Sequence, residues 1–521
     1  MTEPADLSAT EARRLIGEKR LSPVELVESA IARIETLDGA INAIPERDFD
    51  RARDGAKASE RAVMAGEPLG PLHGLTLGVK DMTNVAGLKT TFGSPAFRDN
   101  VAPADDGIIS ALKDAGAIVL GKTNVPEWSA GANSRNPVYG TTGNPFDPTK
   151  SAAGSSGGSA AALATGMVAI ATGTDTGGSL RNPAAFCGVV GFRPTPGLVP
   201  SENAGMGWLP LGTGGPMGRT VADTALMLST IIAPDKRDPL SMSERVSPDA
   251  LRRLPEVDLS ALSVAMTPDF GFAPVERLIA DTFADKVGRF RAVFRRADDA
   301  HPDCTDADEM FEVLRALAFL GPHKRLLEAS PELVGPNVAA NVREGLGYSA
   351  AQVARGLEQQ TALYRRWQTF FAETDFVLSP TVAITPRDWR ELYPSEIDGK
   401  PTRTYFHWLA LAYAPTLAGH PAVSLPVGLD HAGMPFGLQI VGPRGADLET
   451  LAMAAALERL LADDPQTARP VPDLSALAAA PMIADMADDR GHGGLLPVIG
   501  RRGAQLPNTV VCFLRRSSAA R

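Results

Sequence analysis

The run KSAAGSSGGSAAA, residues 150–162, decides how this chain is read, because its centre (Gly154-Ser155-Ser156-Gly157-Gly158-Ser159) is compatible with several unrelated devices. A flexible linker is the plain reading of such composition. Linkers do not run straight into an apolar segment such as AAALATGMVAIATGTD, residues 160–175, which reads as a buried helix followed by a strand. A phosphate loop needs Gly-x-x-x-x-Gly-Lys-[Ser/Thr] behind a strand, so that backbone amides and the lysine meet the phosphates. No lysine follows these glycines, and NPFDPTK ahead of them is turn sequence. The pattern Gly154-Ser155-Ser156-Gly157-Gly158 also matches a nucleophile elbow centred on Ser156. An elbow requires a strand before it and an acid and a histidine after it. No such strand is expected here, and His407, His420 and His431 satisfy only the order.

What remains is a serine catalyst without histidine. A hydroxyl attacks poorly until a base removes its proton, and a lysine serves when burial favours its neutral form. Lys80 is the candidate, at the end of the β-prone run GLTLGVKD, residues 74–81. The plain alternative is a strand-end lysine that snorkels to solvent. A second glycine-rich stretch, GTDTGGSLRNPAAFCGVVGFRPTPG, covers residues 173–197. Successive backbone N–H groups around Gly177, Gly178 and Ser179 could converge on one oxygen, as an oxyanion hole requires. Asp175 and Arg181 flank them and could brace the turn as a charge-assisted pair. An ordinary glycine-rich turn is the alternative.

Composition limits the function classes. The chain has 521 residues, 44% hydrophobic and 21% charged, enough for a sizeable core in one extended or several smaller domains. A net charge of −10 argues against a basic nucleic-acid face. Cys187, Cys304 and Cys512 are odd in number and far apart, which suggests neither a disulfide framework nor a zinc site. The first twenty residues are polar where a signal peptide needs an apolar run. No stretch reaches the roughly 20 apolar residues of a membrane helix. The expectation is a cytoplasmic protein without metal, cofactor, nucleic-acid or membrane partner.

RLSPVELVESAIARIETLD (20–38) carries the first clear helix. Ser22 is the N-cap, Pro23 the first helical residue and Glu25 completes a capping box. IISALKDAGAIVLGKTN (108–124) reads as a helix and then a strand, and the alternation continues past LSVAMTPDFG. Alternating units of this kind predict an α/β fold, with a large mixed and mostly buried β-sheet covered by helices. Residues 1–70 are read as N-terminal helices and 71–240 as the core. Residues 241–375 are read as a variable, mostly helical cap or insertion, with its clearest helices at 273–296 and 348–373. FVLSPTVAI, AVSLPVGL and GLQIVG then return to strands within a C-terminal core part, 376–475. Residues 476–521 are read as an irregular tail or a shifted reading frame, with a docking segment as the lesser option. Beyond Asp489 that tail has no acidic residue and six arginines.

Together these pieces resemble the amidase signature family of serine hydrolases. The resemblance is carried by GNPFDPTKSAAGSSGGSAAALATGMVAIATGTDTGGSLRNPAAFCGVVGFRPTPGLVP (143–200) and by PLHGLTLGVKDMTNVAGLKTTFGS (71–94) upstream. GPMGRTVADTALML and LAGHPAVSLPVGLDHAGMPFGLQIVGP extend it downstream. What the resemblance implies is a Ser-Ser-Lys triad: Ser179 as nucleophile, Ser155 as bridging serine and Lys80 as base. It also implies a cis peptide between Gly154 and Ser155. The oxyanion hole falls on Thr176, Gly177, Gly178 and Ser179, with Ser156, Asp175 and Arg181 in support. No cofactor is implied.

The expected partner is a small-molecule amide or carbamate, with a homodimer left open. The acyl pocket is expected from the loop PEWSAGANSR, in particular Ser129, Ala130 and Gly131, and from GWLPLG, with Trp208. Trp408, and with it Trp389 and Tyr405, is either pocket or core; as pocket, these aromatics would favour an apolar or aryl amide, an ester or a urethane. The alternatives are the glutamine-hydrolysing subunit of a tRNA-dependent amidotransferase and a non-catalytic scaffold relative. ENAGMGWLPLGTGGPMGRT (202–220) departs from the SLDQ-like segment of that amidotransferase component.

Overall fold

The helix Pro23–Ile41 begins where the capping box places it: Ser22 and Glu25 satisfy each other's backbone amides across the first turn. This is a computed structural model, and it describes residues 3–241 and 246–488. Leu26, Val27, Ala30, Ile31 and Ile34 form the helix's inward stripe and are buried.

Eleven strands form one mixed sheet. From one edge the order is Glu46–Arg47, Ile118–Thr123, Thr76–Lys80, Ile170–Asp175, Thr213–Gly218 and Val190–Arg193. It continues through Ala422–Leu429, Pro435–Val441, Phe376–Pro380 and Ser263–Met266 to Arg296–Asp299. Thr76–Lys80 runs parallel to both of its neighbours, as βαβ crossovers require. The middle of the sheet is antiparallel. Apolar cores lie on both faces, so most strands are buried on both sides, as predicted.

The helix Gly157–Ala164, which follows the opening run, has every residue buried. That excludes the linker. A strand does precede the run, contrary to expectation: Asp147–Ser151 pairs with Gly143–Asn144 in a separate two-stranded ladder outside the main sheet. Segment 241–375 carries the helices Arg277–Phe290, Ala307–Ala329, Pro336–Gly347 and Ala350–Phe371. It also supplies the sheet's last two strands, joined in parallel. The first part of the expected irregular tail is instead ordered. Leu474–Ala478 and Ile483–Asp488 are short helices against Pro23–Ile41, because Leu477 and Ile483 bury themselves there. The arginine-bearing end lies outside the described residues. Among the described residues, no helix is long and apolar enough to cross a membrane.

Candidate active site

Strand alternation aims Lys80. Leu77 and Val79 of Thr76–Lys80 enter one core, so Gly78 and Lys80 project to the opposite face. There the Lys80 side chain is fully buried. Its Nζ donates to Ser155 Oγ at 2.7 Å and to Thr174 Oγ1 at 2.7 Å. The solvent-reaching alternative is therefore excluded. Burial pushes the Lys80 pKa down to about 7, against the opposing pull of the Asp175 charge. No carboxylate forms an ion pair with it among the described residues, and near neutral pH a large share of its amines is unprotonated.

The run 154–159 is held from several sides. The peptide between Gly154 and Ser155 is cis. Ser155 is fully buried. Ser156 Oγ accepts from the Thr174 amide at 3.4 Å, and the Ser156 amide donates to the Ser179 carbonyl at 3.2 Å. Ser156 thus ties the two glycine-rich stretches together. Gly157 donates to Ser134 Oγ at 3.0 Å. Gly158 packs on backbone: a Cβ there would lie 2.3 Å from the Asn124 nitrogen and 2.6 Å from the Ala43 oxygen. Close approach explains both glycines better than flexibility does.

Asp175, at the end of Ile170–Asp175, organises the second stretch. Arg181 donates Nε and Nη2 to its two carboxylate oxygens at 3.0 and 2.9 Å, and Arg193 Nη1 adds a contact at 3.2 Å. Burial alone would raise the Asp175 pKa, but the two guanidinium groups overcome it and hold the carboxyl well below its usual range. Arg181 also reaches Gln439 Oε1 at 2.6 Å and Thr416 Oγ1 at 3.0 Å. The loop is thereby clamped to the C-terminal part of the core.

This clamp corrects one expectation. The Gly178 amide donates to Asp175 Oδ1 at 2.9 Å, so it is committed to the loop and not offered to a substrate. The amides of Thr176, Gly177 and Ser179 have no such partner among the described residues. Ser179 Oγ likewise makes no hydrogen bond there, to Ser155 or to any other group.

A cavity of about 60 Å³ gathers Ser155, Ser179, Thr174, Thr176 and Gly177 with Ser129, Gly131, Trp128, Arg315, Phe319 and Leu409. Trp128 and Ser129 sit in the left-handed region at φ 50° and 56°, a conformation that non-glycine residues hold only when their surroundings impose it. The other expected pocket residues lie elsewhere. Ala130 packs with Phe319, Val338 and Val342. Trp208 is 79% exposed, because its loop runs over the surface. Trp408 is core: its indole donates to the Tyr405 carbonyl and its ring meets Phe186. Trp389 is buried, its carbonyl held by Asn133. Tyr405 stands behind the cavity, with its hydroxyl accepting from Arg315. A larger groove of about 540 Å³, lined in part by Asp308, Glu312 and Arg403, holds none of Lys80, Ser155 or Ser179.

Sequence reasoning missed Thr174, Arg315, Phe319 and Leu409. Thr174 stood inside the quoted stretch. Arg315 left a fainter signal, a charge within the apolar run Met310, Phe311, Val313, Leu314 and Ala316, all buried on Ala307–Ala329.

The family model described as Amidase matches residues 25–451. An acylamidase of Rhodococcus erythropolis is 34% identical over 87% of this chain and 95% of its own length. A glutamyl-tRNA(Gln) amidotransferase component of Nocardia farcinica is 32% identical over 88% of this chain and 99% of its own. Among solved structures, a bacterial aryl acylamidase of the amidase signature enzymes superposes with a TM-score of 0.81 at 29% identity, covering 91% of this chain and 98% of that one.

Proposed function

The chain belongs to the amidase family and is an amide-hydrolysing enzyme; on that premise we propose that Ser179 is its nucleophile, Ser155 its proton bridge and Lys80 its base. The observation that carries this reading is the 2.7 Å contact between Lys80 Nζ and Ser155 Oγ, at the edge of a cavity that Ser179 also lines. Neutral Lys80 takes the proton of Ser155, and Ser155 takes that of Ser179 as Ser179 Oγ bonds to the amide carbonyl carbon. The Ser179 hydroxyl lines the same cavity as Ser155 and is held by no other group among the described residues, so nothing there competes with the relay for it. Such catalytic contacts are often loose before substrate binds.

The carbonyl oxygen becomes an oxyanion facing the unpartnered amides of Thr176, Gly177 and Ser179. As the C–N bond breaks, the proton returns from Lys80 through Ser155 to the departing nitrogen. Water then attacks the acyl-enzyme, gives its proton to the same relay and releases the carboxylic acid.

The substrate proposed is a linear carboxamide with an aryl or other apolar amine, an anilide in the simplest case; related esters and carbamates fit the same chemistry. The likeness to an acylamidase and an aryl acylamidase supports the aryl amine, while the cavity lined by Trp128, Phe319 and Leu409 is read as the one that takes the acyl part. Likeness to the amidotransferase component supports glutamine hydrolysis within a complex as a second reading. Segment 202–220 counts against it.

The test is a hydrolysis screen over primary amides, anilides, esters and carbamates, together with labelling by a fluorophosphonate. Ser179→Ala abolishes turnover and label. Ser156→Ala keeps the label. Loss of label in Ser156→Ala but not in Ser179→Ala would sink the assignment, and activity on free glutamine alone would favour the second reading.

A further inference from the structure

Arg315 is a cation facing the catalytic cavity with no charge opposite it. Its side chain is buried, the residue being 4% exposed, and it lines the same space as Ser155 and Ser179. Nε and Nη2 both donate to Tyr405 Oη, at 3.0 and 2.5 Å. Asn341 holds that hydroxyl from the other side at 2.6 Å. The guanidinium stands 5.0 Å from the Phe319 ring centroid and 5.2 Å from those of Tyr405 and Phe406. These are aromatic walls and a neutral hydroxyl. The two carboxylates one and two turns back on the same helix, Glu312 and Asp308, are turned to Arg403. Among the described residues, none forms an ion pair with Arg315.

A guanidinium does not shed its proton to escape burial, as a lysine does. A buried cation without an anion is costly, and aromatic faces offset only part of that cost. Tyr405 takes two of its N–H directions and fixes the plane of the fork, and the other N–H groups have no hydrogen-bond partner among the described residues. A fixed fork with free donors matches a carboxylate in two-point contact.

We propose that Arg315 is a specificity residue for a carboxylate on the substrate's acyl chain, so that the preferred amide is the monoamide of a short dicarboxylic acid. The proposal rests on the reading that this cavity receives the acyl part. A volume of about 60 Å³ restricts that part to a short chain. Tyr405 and Asn341 are positioning residues that act through Arg315.

The experiment compares 4-nitroanilides of succinic and glutaric acid with their methyl esters and with acetyl and butyryl 4-nitroanilide. Wild type is expected to favour the free acids in kcat/KM by at least about tenfold, the size of one charge-assisted hydrogen bond. Arg315→Met removes that preference, and Arg315→Lys keeps part of it. Wild-type preference for the neutral anilides overturns the proposal. So does an Arg315→Met variant that loses both substrate classes equally, since that is the mark of a purely structural role.

Binding of free glutarate and succinate by thermal shift on wild type, against glutaramide and succinamide, decides the case where a variant fails to fold or no anilide is cleaved. Stabilisation by the diacids alone supports the carboxylate subsite, and equal or absent stabilisation overturns it. Failure of the triad reading shows separately, as a wild-type protein that takes no fluorophosphonate label or a Ser179→Ala variant that keeps it.

Discussion

Thr174 holds Lys80 as closely as Ser155 does: its Oγ1 lies 2.7 Å from Lys80 Nζ, on the strand beside the one that carries the lysine. The amine is therefore fixed between two hydroxyls, one on the proton path and one off it. A hydroxyl that accepts from an ammonium stabilises the charged form. Replacing Thr174 by valine keeps the shape and removes that acceptor. The acidic limb of kcat/KM against pH is expected to move to lower pH, while the plateau falls about tenfold as the amine loses its aim. A limb that stays in place would show that Thr174 does not tune the base.

Wild-type kcat/KM is expected to rise with pH through about 7, as Lys80 loses its proton and becomes able to act as base. Lys80→Met lowers turnover about 10³-fold or more, at the upper end of what general-base catalysis supplies. A flat wild-type profile between pH 6 and 8 would contradict the role.

The same burial predicts a pH-dependent stability. The folded-state pKa of Lys80 is about 7, whereas an unfolded lysine titrates near about 10.4. Between these values the unfolded chain holds a proton that the folded chain has shed, so the stability contributed by this group rises with pH and is lowest below about 7. Thermal melts of Lys80→Met against wild type should show the variant's relative advantage shrinking from pH 6 to pH 9. An advantage that grows with pH would refute this.

Asp175 neutralises two buried arginines, and its removal leaves them facing each other. Asp175→Asn is expected to cost about 3–5 kcal/mol, the usual penalty for breaking a buried ion pair from one side. Urea denaturation measures it. A loss under 1 kcal/mol would mean that water enters to replace the carboxylate.

Gly158→Ala tests why the conspicuous run is rich in glycine. Its Cβ would meet main-chain atoms of Asn124 and Ala43 that cannot swing aside. The expected outcome is destabilisation of at least about 1–3 kcal/mol or loss of soluble protein. Gly205→Ala, which has nothing within 4 Å, serves as the control and leaves the melting temperature unchanged.

Much of this protein is legible locally. Capping at Ser22 and Glu25 and the alternation of helix and strand follow from short-range rules, because caps and periodicity are properties of neighbouring residues. The glycine-rich stretches are visible as composition, but the contacts that require Gly158 come from Asn124 and Ala43, distant in the chain. The aromatic candidates were not legible in that way. Trp208 and Trp408 carry the same side chain, yet one covers the surface from a glycine-rich loop and the other sits in the core ahead of an apolar run, and neither setting says whether the ring reaches the cavity.

The sequence alone therefore determined the residue types and the order of Lys80, Ser155 and Ser179, the class of fold, and the glycines on which the site turns. Tertiary structure decided which groups meet. It brought Lys80 to Ser155 across 75 residues and Arg315 to Tyr405 across 90. The physical reason is one of range. A motif dictates its own backbone, but burial, the pKa of a lysine and the loneliness of an arginine depend on what distant segments pack against it.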